Sequence, residues 1–165
     1  MPDLEPVVPS LKSAPETLTL HVIGTVHSPI QEGVDTDWGR VESTVELRPD
    51  LESALQSLNA FSHVLIVFYM HESTFSPEDL VRHPQGRIHL PRVGIFAQRA
   101  KHRPNPIGIT AVELLGVDGH RLRVRGLDAI HGTPVLDVKP YFPWFDRRDQ
   151  VRTPEWCDEL MRTYF

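Results

Sequence analysis

Fifteen prolines spread over 165 residues constrain the fold more than any other feature of the chain. Proline lacks a backbone N–H and fixes φ, so a chain interrupted this often builds strands, edges and turns rather than long helices. Between the prolines lie short runs in which apolar and polar residues alternate, the period of a strand with one face on a core. Arg40–Leu47 is the cleanest: Val41, Val45 and Leu47 fall on one side, and Arg40, Glu42, Thr44 and Glu46 on the other. Thr17–Val26 alternates Leu18, Leu20 and Val22. Phe61–Met70 is a continuous apolar and β-branched run, which predicts a strand buried on both faces.

Arg92–Gln98 reads as a further strand, and Val135–Tyr141 as the last one. Ile107–Val117 and Arg121–Leu127 are two strands joined through Asp118-Gly119, a type I′ hairpin signal. Asp50 is placed to cap a short helix ending at Leu58. Thr153-Pro154-Glu155 starts a second helix, with Trp156, Leu160 and Tyr164 on its apolar face. Strands do not alternate with helices, so a doubly wound sheet is excluded. The expected fold is mainly β: a small antiparallel or mixed barrel with short peripheral helices. Residues 1–16 read as a loose leader and 17–165 as one domain. There is no apolar run of membrane-spanning length. The lone Cys157 cannot close an internal disulfide, so a reducing, cytoplasmic setting is expected.

Charge is unevenly distributed. Between Leu80 and Gly126 there are nine bases (Arg82, Arg87, Arg92, Arg99, Lys101, Arg103, Arg121, Arg123 and Arg125) against two acids, Glu113 and Asp118. That net +7 leaves −12 for the rest of a chain whose formal charge is −5. Arginine outnumbers lysine eight to one there, and its planar guanidinium makes bidentate contacts with anions. The pattern suits a phosphate backbone or an anionic ligand on one face, or else a solvated surface.

Three segments carry groups capable of chemistry. In GIFAQRAKHRPNPIG, Gly94–Gly108, the bases Arg99, Lys101 and Arg103 lead into a backbone stiffened by Pro104 and Pro106, with Asn105 between them. In GLDAIHGTPVLDVKPY, strand alternation puts Asp137, Lys139 and Tyr141 on one side, and Leu136 and Val138 on the other. That polar stripe fits a site wall and a solvated ion pair equally well. Asp128–Thr133 reads as a tight turn whose backbone groups are available to a ligand. His71-Glu72 ends the apolar run, where barrel strands deliver functional groups. Nine histidines raise the question of a metal, but neither His-Glu-x-x-His nor a paired cysteine spacing occurs, and none is expected. The Rossmann glycine fingerprint and the P-loop are absent as well.

The segments IGTVHSPI, FSHVLIVFYMHE, VGIFAQRAKHRPNPIG and GLDAIHGTPVLDVKPY, in this order, resemble the TsaA-like (YaeB-like) family of β-barrel methyltransferases. The resemblance runs from about Leu20 to Asp146. It implies an S-adenosylmethionine-dependent enzyme that acts, as a homodimer, on N6 of threonylcarbamoyladenosine beside the anticodon of tRNA. It implies donor contacts at Thr36, Asp37 and Trp38, at His71 and Glu72, at Arg99 and Ile109, and along Ala129, Ile130, His131, Gly132 and Thr133. Asp137, Lys139 and Tyr141 become the catalytic candidates. Arg82, Arg87, Lys101, Arg103, Arg121, Arg123 and Arg125 become the candidate contacts to tRNA phosphates. The chain departs from the family in two places: an acidic, shorter EGVDTDWGR in the first loop, and His131 where an acid is usual. The further C-terminal domain of some members is not in this sequence. A non-catalytic nucleotide-binding barrel and a small-metabolite methyltransferase are the alternatives.

Overall fold

A computed structural model describes residues 16–35 and 37–165. The expected leader, apart from Glu16, and Thr36 of the candidate donor loop lie outside the described residues. Six strands close a barrel: β1 (Gly24–His27), β2 (Glu42–Leu47), β3 (His63–Tyr69), β6 (Ile107–Asp118), β7 (Arg121–Arg125) and β8 (Pro134–Pro140). Around the ring the order is β1-β2-β7-β6-β3-β8, with every neighbouring pair antiparallel. A separate two-residue ladder joins β4 (Val81–Arg82) and β5 (Val93–Gly94) in the excursion between β3 and β6. Two short helices follow the barrel, α1 (Pro143–Asp146) and α2 (Glu155–Met161).

Alternation fills the interior. Val45 and Leu47 from β2, Val64, Ile66 and Phe68 from β3, Val112 from β6, Leu122 and Val124 from β7, and Val26 and Val135 form one buried cluster. Leu127 and Ala129 continue it beyond β7. Buried polar side chains on the barrel strands include Thr110 on β6 and Ser43 on β2. Ser43 on β2 faces inward, is 5% exposed, and its hydroxyl has no hydrogen-bond partner among the described residues.

The structure departs from the sequence expectations in several places. Leu18, Leu20 and Val22 alternate but belong to no strand: β1 begins at Gly24, and all three side chains are exposed along a groove outside the barrel. β3 is buried on one face only, with Leu65 and Val67 half-exposed on the other. Arg92–Gln98 is not a strand. After β5 the chain turns as a 3₁₀ helix over Ile95–Ala97, and Ile95 and Gln98, three residues apart, are the buried pair. The Gln98 amide donates to the Arg82 and Val93 carbonyls, which seals that turn onto the β4–β5 ladder. Asp50 caps nothing. The segment Pro49–Leu55 is 3₁₀, and the Asp50 carboxylate pairs with Arg48 at 2.5 Å.

The β6–β7 loop is Gly119-His120, and only Gly119 has a positive φ. That is the pattern of a type II′ turn, since type I′ needs positive φ at both central residues. Val135 and Val138 face the core while Leu136 lines the outer groove, because the pairing register shifts between Val67 and Phe68. Thr153 does not cap α2, whose first-turn flank is Pro154, and Tyr164 lies beyond the end of that helix.

Candidate active site

The pairing register brings two of the sequence segments onto one outer wall. Val67 pairs with Ile109 on one side and with Asp137 on the other. Leu65 likewise lies between Ala111 and Lys139. Since Val64, Ile66 and Phe68 point into the barrel, Leu65 and Val67 point out, together with Ile109 and the Asp137–Lys139 stripe. Two strand spacings separate the Ile109 and Asp137 backbones by roughly 10 Å. At one end of the same wall Tyr69, Ile107 and Leu136 border an apolar groove of about 290 Å³, which Leu18, Leu20 and Val22 cover in part. Pro106 and Asn105 of the RPNPIG motif close its rim.

A connected cluster lies beside this wall. The Arg99 guanidinium donates to the Ile109 carbonyl. On the opposite face of β6 the Thr110 hydroxyl donates to Asp128 Oδ1. The Tyr164 hydroxyl donates to Asp128 Oδ2 at 2.7 Å. The main chain of the same tail accepts from Asp37 N–H, at Thr163 O, and from Trp38 N–H, at Tyr164 O, at 2.9 and 2.8 Å. Burial, and then the negative charge of Asp128, push the Tyr164 phenol above the ordinary tyrosine range, while Arg99 pulls it back slightly. The phenol is therefore a fixed proton donor. Trp38 is 2% exposed and gives its indole N–H to the Val34 carbonyl at 2.9 Å, so it shapes its loop from the inside. Asp37 beside it is exposed and holds a left-handed φ of 60°.

The Ala129–Thr133 turn continues from Asp128. Ala129 and Thr133 are buried, backbone included, while Ile130 and Gly132 are half-buried and His131 is exposed. The amides of His131, Gly132 and Thr133 donate to Ile30, Val26 and Ile130, and the Thr133 carbonyl accepts from Val26, which leaves the Ala129, His131 and Gly132 carbonyls and the Ala129 and Ile130 amides without a main-chain partner among the described residues. The His131 side chain is exposed and meets the His27 ring edge-on at 5.5 Å. His71 and Glu72 are exposed just after β3, and no hydrogen bond or ion pair among the described residues joins them to the Asp128 cluster. The residues on either side of this pair are tied to the 101–106 loop instead: the Ser73 hydroxyl donates to the Lys101 carbonyl at 2.5 Å, and the Met70 amide to the Pro106 carbonyl at 2.8 Å.

In the stripe, Lys139 Nζ lies 2.6 Å from Asp137 Oδ2, and the hydrogen bond together with the charge of Asp137 raises the lysine pKa. Asp137 Oδ1 accepts the Val138 amide at 2.9 Å. Tyr141 follows beyond β8, its ring tilted against His63 at 6.2 Å.

The seven candidate phosphate contacts do not form one surface. Arg121, Arg123 and Arg125 share the outer face of β7, which stands opposite β8 in the six-strand ring. Arg82, Arg87, Lys101 and Arg103 belong to the excursion before β6. Acids hold most of them: Arg82 pairs with Asp79, Arg87 with Glu159, Arg121 with Glu46, and Arg125 with Glu42 and Glu113. Arg103 donates to the Gln98 and Ala100 carbonyls. Lys101 and Arg123 have no ion pair among the described residues. Thr110, Asp128 and Tyr164 form the centre of the cluster, yet sequence reasoning had no means of joining residues up to 54 positions apart. The one local hint was an acid, Asp128, between the core residues Leu127 and Ala129.

Residues 24–147 match the sequence profile of the tRNA-methyltransferase O N-terminal domain. The chain belongs to that family. A probable S-adenosyl-L-methionine-binding protein of Pyrococcus abyssi is 40% identical over 135 residues, covering 79% of this chain and 71% of that protein. The human tRNA (adenine(37)-N6)-methyltransferase is 41% identical over 104 residues, which is 62% of this chain and 23% of the human protein. The crystal structure of TrmO from Pseudomonas aeruginosa superposes with a TM-score of 0.67 at 33% identity, over 82% of this chain and 61% of that one. The chain thus spans less than a quarter of the human relative and about three-fifths of the TrmO chain.

Proposed function

We propose that this member of the family is an S-adenosylmethionine-dependent methyltransferase that modifies N6 of threonylcarbamoyladenosine beside the anticodon of tRNA. The observation that carries the reading is the wall around Val67, with the Arg99–Ile109 contact on one side and the Asp137–Lys139 pair on the other. Relatives described as S-adenosylmethionine-binding proteins and as tRNA (adenine(37)-N6)-methyltransferases support the donor and the acceptor.

The residues suit the donor chemically. Arg99 spends one interaction on the Ile109 carbonyl and keeps further N–H groups for a carboxylate. Asp37 supplies exposed negative charge for an ammonium and a sulfonium, and the His131 and Gly132 carbonyls of the 129–133 turn accept from an adenine amino group. When bound, S-adenosylmethionine supplies an electrophilic methyl group. What remains for the protein is to hold the acceptor nitrogen in line at roughly 3–3.5 Å and to remove its proton. The acceptor nitrogen is conjugated to a carbonyl, so polarising that oxygen makes the N–H more acidic. Lys139, kept charged by Asp137, is assigned that task, with Asp137 as the nearby proton acceptor and Tyr141 bordering the substrate.

The same wall exposes Tyr69, Ile107 and Ile109, and Trp144 after β8 is 86% exposed. Apolar area of this kind on a small domain favours a second copy, and a homodimer is part of the reading. The 82–103 stretch reaches the tRNA phosphates, with Lys101 the base least engaged elsewhere. The test is to incubate the protein with S-adenosylmethionine and unmodified or threonylcarbamoylated tRNA, and to analyse the nucleosides by mass spectrometry. A methyl group on threonylcarbamoyladenosine alone is expected, with tRNA affinity falling as salt rises. Donor binding without any methylated nucleoside would refute the acceptor, and no donor binding would refute the whole reading.

A further inference from the structure

We propose that the segment after α2, Thr163–Phe165, is a clasp on the donor site, with Tyr164 as its positioning residue: its main chain sets the Asp37–Trp38 loop and its hydroxyl sets Asp128 at the head of the 128–133 turn. The inference rests on the assignment of the donor to that loop and turn. It goes beyond the family comparison, because the matched stretch ends at residue 147.

Three kinds of contact make the clasp. The amides of Asp37 and Trp38 both donate to its carbonyls, at 2.9 and 2.8 Å. Gly39 leaves room for Phe165: a Cβ at position 39 would stand 2.8 Å from the Phe165 carbonyl carbon. The Tyr164 hydroxyl takes one oxygen of Asp128, and Thr110 takes the other. The tail is itself held from both sides. Tyr164 and Phe165 pack edge to face at 4.9 Å, and α2 is pinned by Leu160 in the core and by Glu159 bonded to Arg87 and His89. Asp37 keeps a left-handed φ, which costs energy for a residue with a Cβ and persists only where the surroundings impose it. The two tail carbonyls on either side of Tyr164 are those surroundings.

Asp128 therefore has two hydroxyl donors fixing its two oxygens. Removing one frees the carboxylate to rotate, and the turn that begins there loses its reference point. Titration calorimetry with S-adenosylmethionine on the full chain tests this with Tyr164→Phe, Asp128→Asn and the double variant, each also followed by thermal unfolding. Tyr164→Phe keeps the ring and the main-chain bonds, so it is expected to unfold cooperatively like the wild type. It is expected to bind the donor roughly tenfold more weakly, the low end for a hydrogen bond to a charged group. Asp128→Asn should weaken binding at least as much, and the double variant no more than Asp128→Asn alone, since both changes break the same contact. Wild-type affinity in Tyr164→Phe, or losses that multiply in the double variant, would overturn the clasp while leaving the donor assignment standing. A wild-type protein that does not bind the donor would remove the assignment and the clasp together.

Discussion

Gly108→Ala places one methyl group where the barrel has no room for it. A Cβ at 108 would stand 2.4 Å from both Cε2 and Cζ of Phe68. Carbon atoms in contact prefer about 3.5 Å or more, so the ring would have to retreat by about 1.1 Å. Phe68 cannot swing outward: it is 3% exposed and lies on β3 between two hydrogen-bonded neighbours, opposite Gly108 on β6 and Val135 on β8. The displaced ring must press into Ile66, Val112 and the rest of the core, which interlock at crystal-like density. Overpacking costs of ~1–3 kcal/mol apply, and the confinement puts this site in the upper half. At about 2–4 °C per kcal/mol for a chain of this size, Tm should fall by roughly 4–12 °C in differential scanning calorimetry. Phe68→Leu opens space on the other side of the contact. The double variant should then be less destabilised than the sum of the singles by about 1 kcal/mol or more. A Tm within a degree of the wild type for Gly108→Ala, or strict additivity, would show that the ring has a second place to go and that the glycine is not required by packing.

Ser43→Ala removes a buried hydroxyl that has no partner among the described residues, and such a group costs about 1–3 kcal/mol. Tm should rise by roughly 2–12 °C; a fall would mean the hydroxyl is bonded. Arg99→Ala should weaken S-adenosylmethionine binding by about tenfold or more, while Arg123→Ala, on the opposite side of the ring, should leave calorimetric donor affinity unchanged; equal effects would merge the two surfaces. Glu159, bonded to His89 and Arg87, has its pKa lowered from the usual 4.5. A carboxylate depressed on folding adds stability above its unfolded pKa and loses it as pH falls through the folded value. The stability difference between wild type and Glu159→Gln, measured by urea unfolding, should therefore be present at neutral pH and shrink below about pH 4.5. A difference independent of pH would deny the anchoring role of the charge.

The barrel was legible where pairing partners are close in sequence or where both faces of a strand are distinctive. β2, β6 and β7 carry clean alternation, and the expected hairpin lies within a residue of the loop found. The failures share a cause. Leu18, Leu20 and Val22 alternate, but their apolar face lies along the outer groove next to Tyr69 and Leu136, and periodicity says that a face is buried, not against what. Ile95 and Gln98 are buried because Arg82 and Val93 come round to bond the Gln98 amide, and no window along 92–98 contains Arg82. Spacing alone places Tyr164 on a helix face, whereas the acid it meets lies 36 residues away. The RPNPIG string shows the same limit from the other side. Part of its specificity is structural, since Gly108 accommodates Phe68 and the Pro106 carbonyl takes the Met70 amide.

The charge asymmetry of the chain changes meaning once it is folded. Along the sequence the bases of 80–126 stand apart from the acids, and the segregation suggests a cationic face. In three dimensions the segregated charges are partners. Glu42 and Glu46 on β2 meet Arg125 and Arg121 on β7 because those strands are antiparallel neighbours, and Glu113 on β6 meets Arg125 from the other side. Glu159 on α2 meets Arg87. Exposed pairs of this kind are weak, so they do not prevent an arginine from turning to a phosphate, but each such turn gives up a carboxylate and leaves it near the incoming anion. The arginines of β7 are therefore poorer phosphate ligands than their number suggests, and they face away from the Asp137–Lys139 stripe. Lys101 differs on both counts. It has no ion pair among the described residues, and its loop is tied through Ser73 to the end of β3, the strand that runs between Ile109 of β6 and the Asp137–Lys139 pair of β8. A tRNA substrate held from that loop would bring its modified base to β3 and β8, where Lys139 is kept charged, without first dismantling the pairs that cover β7.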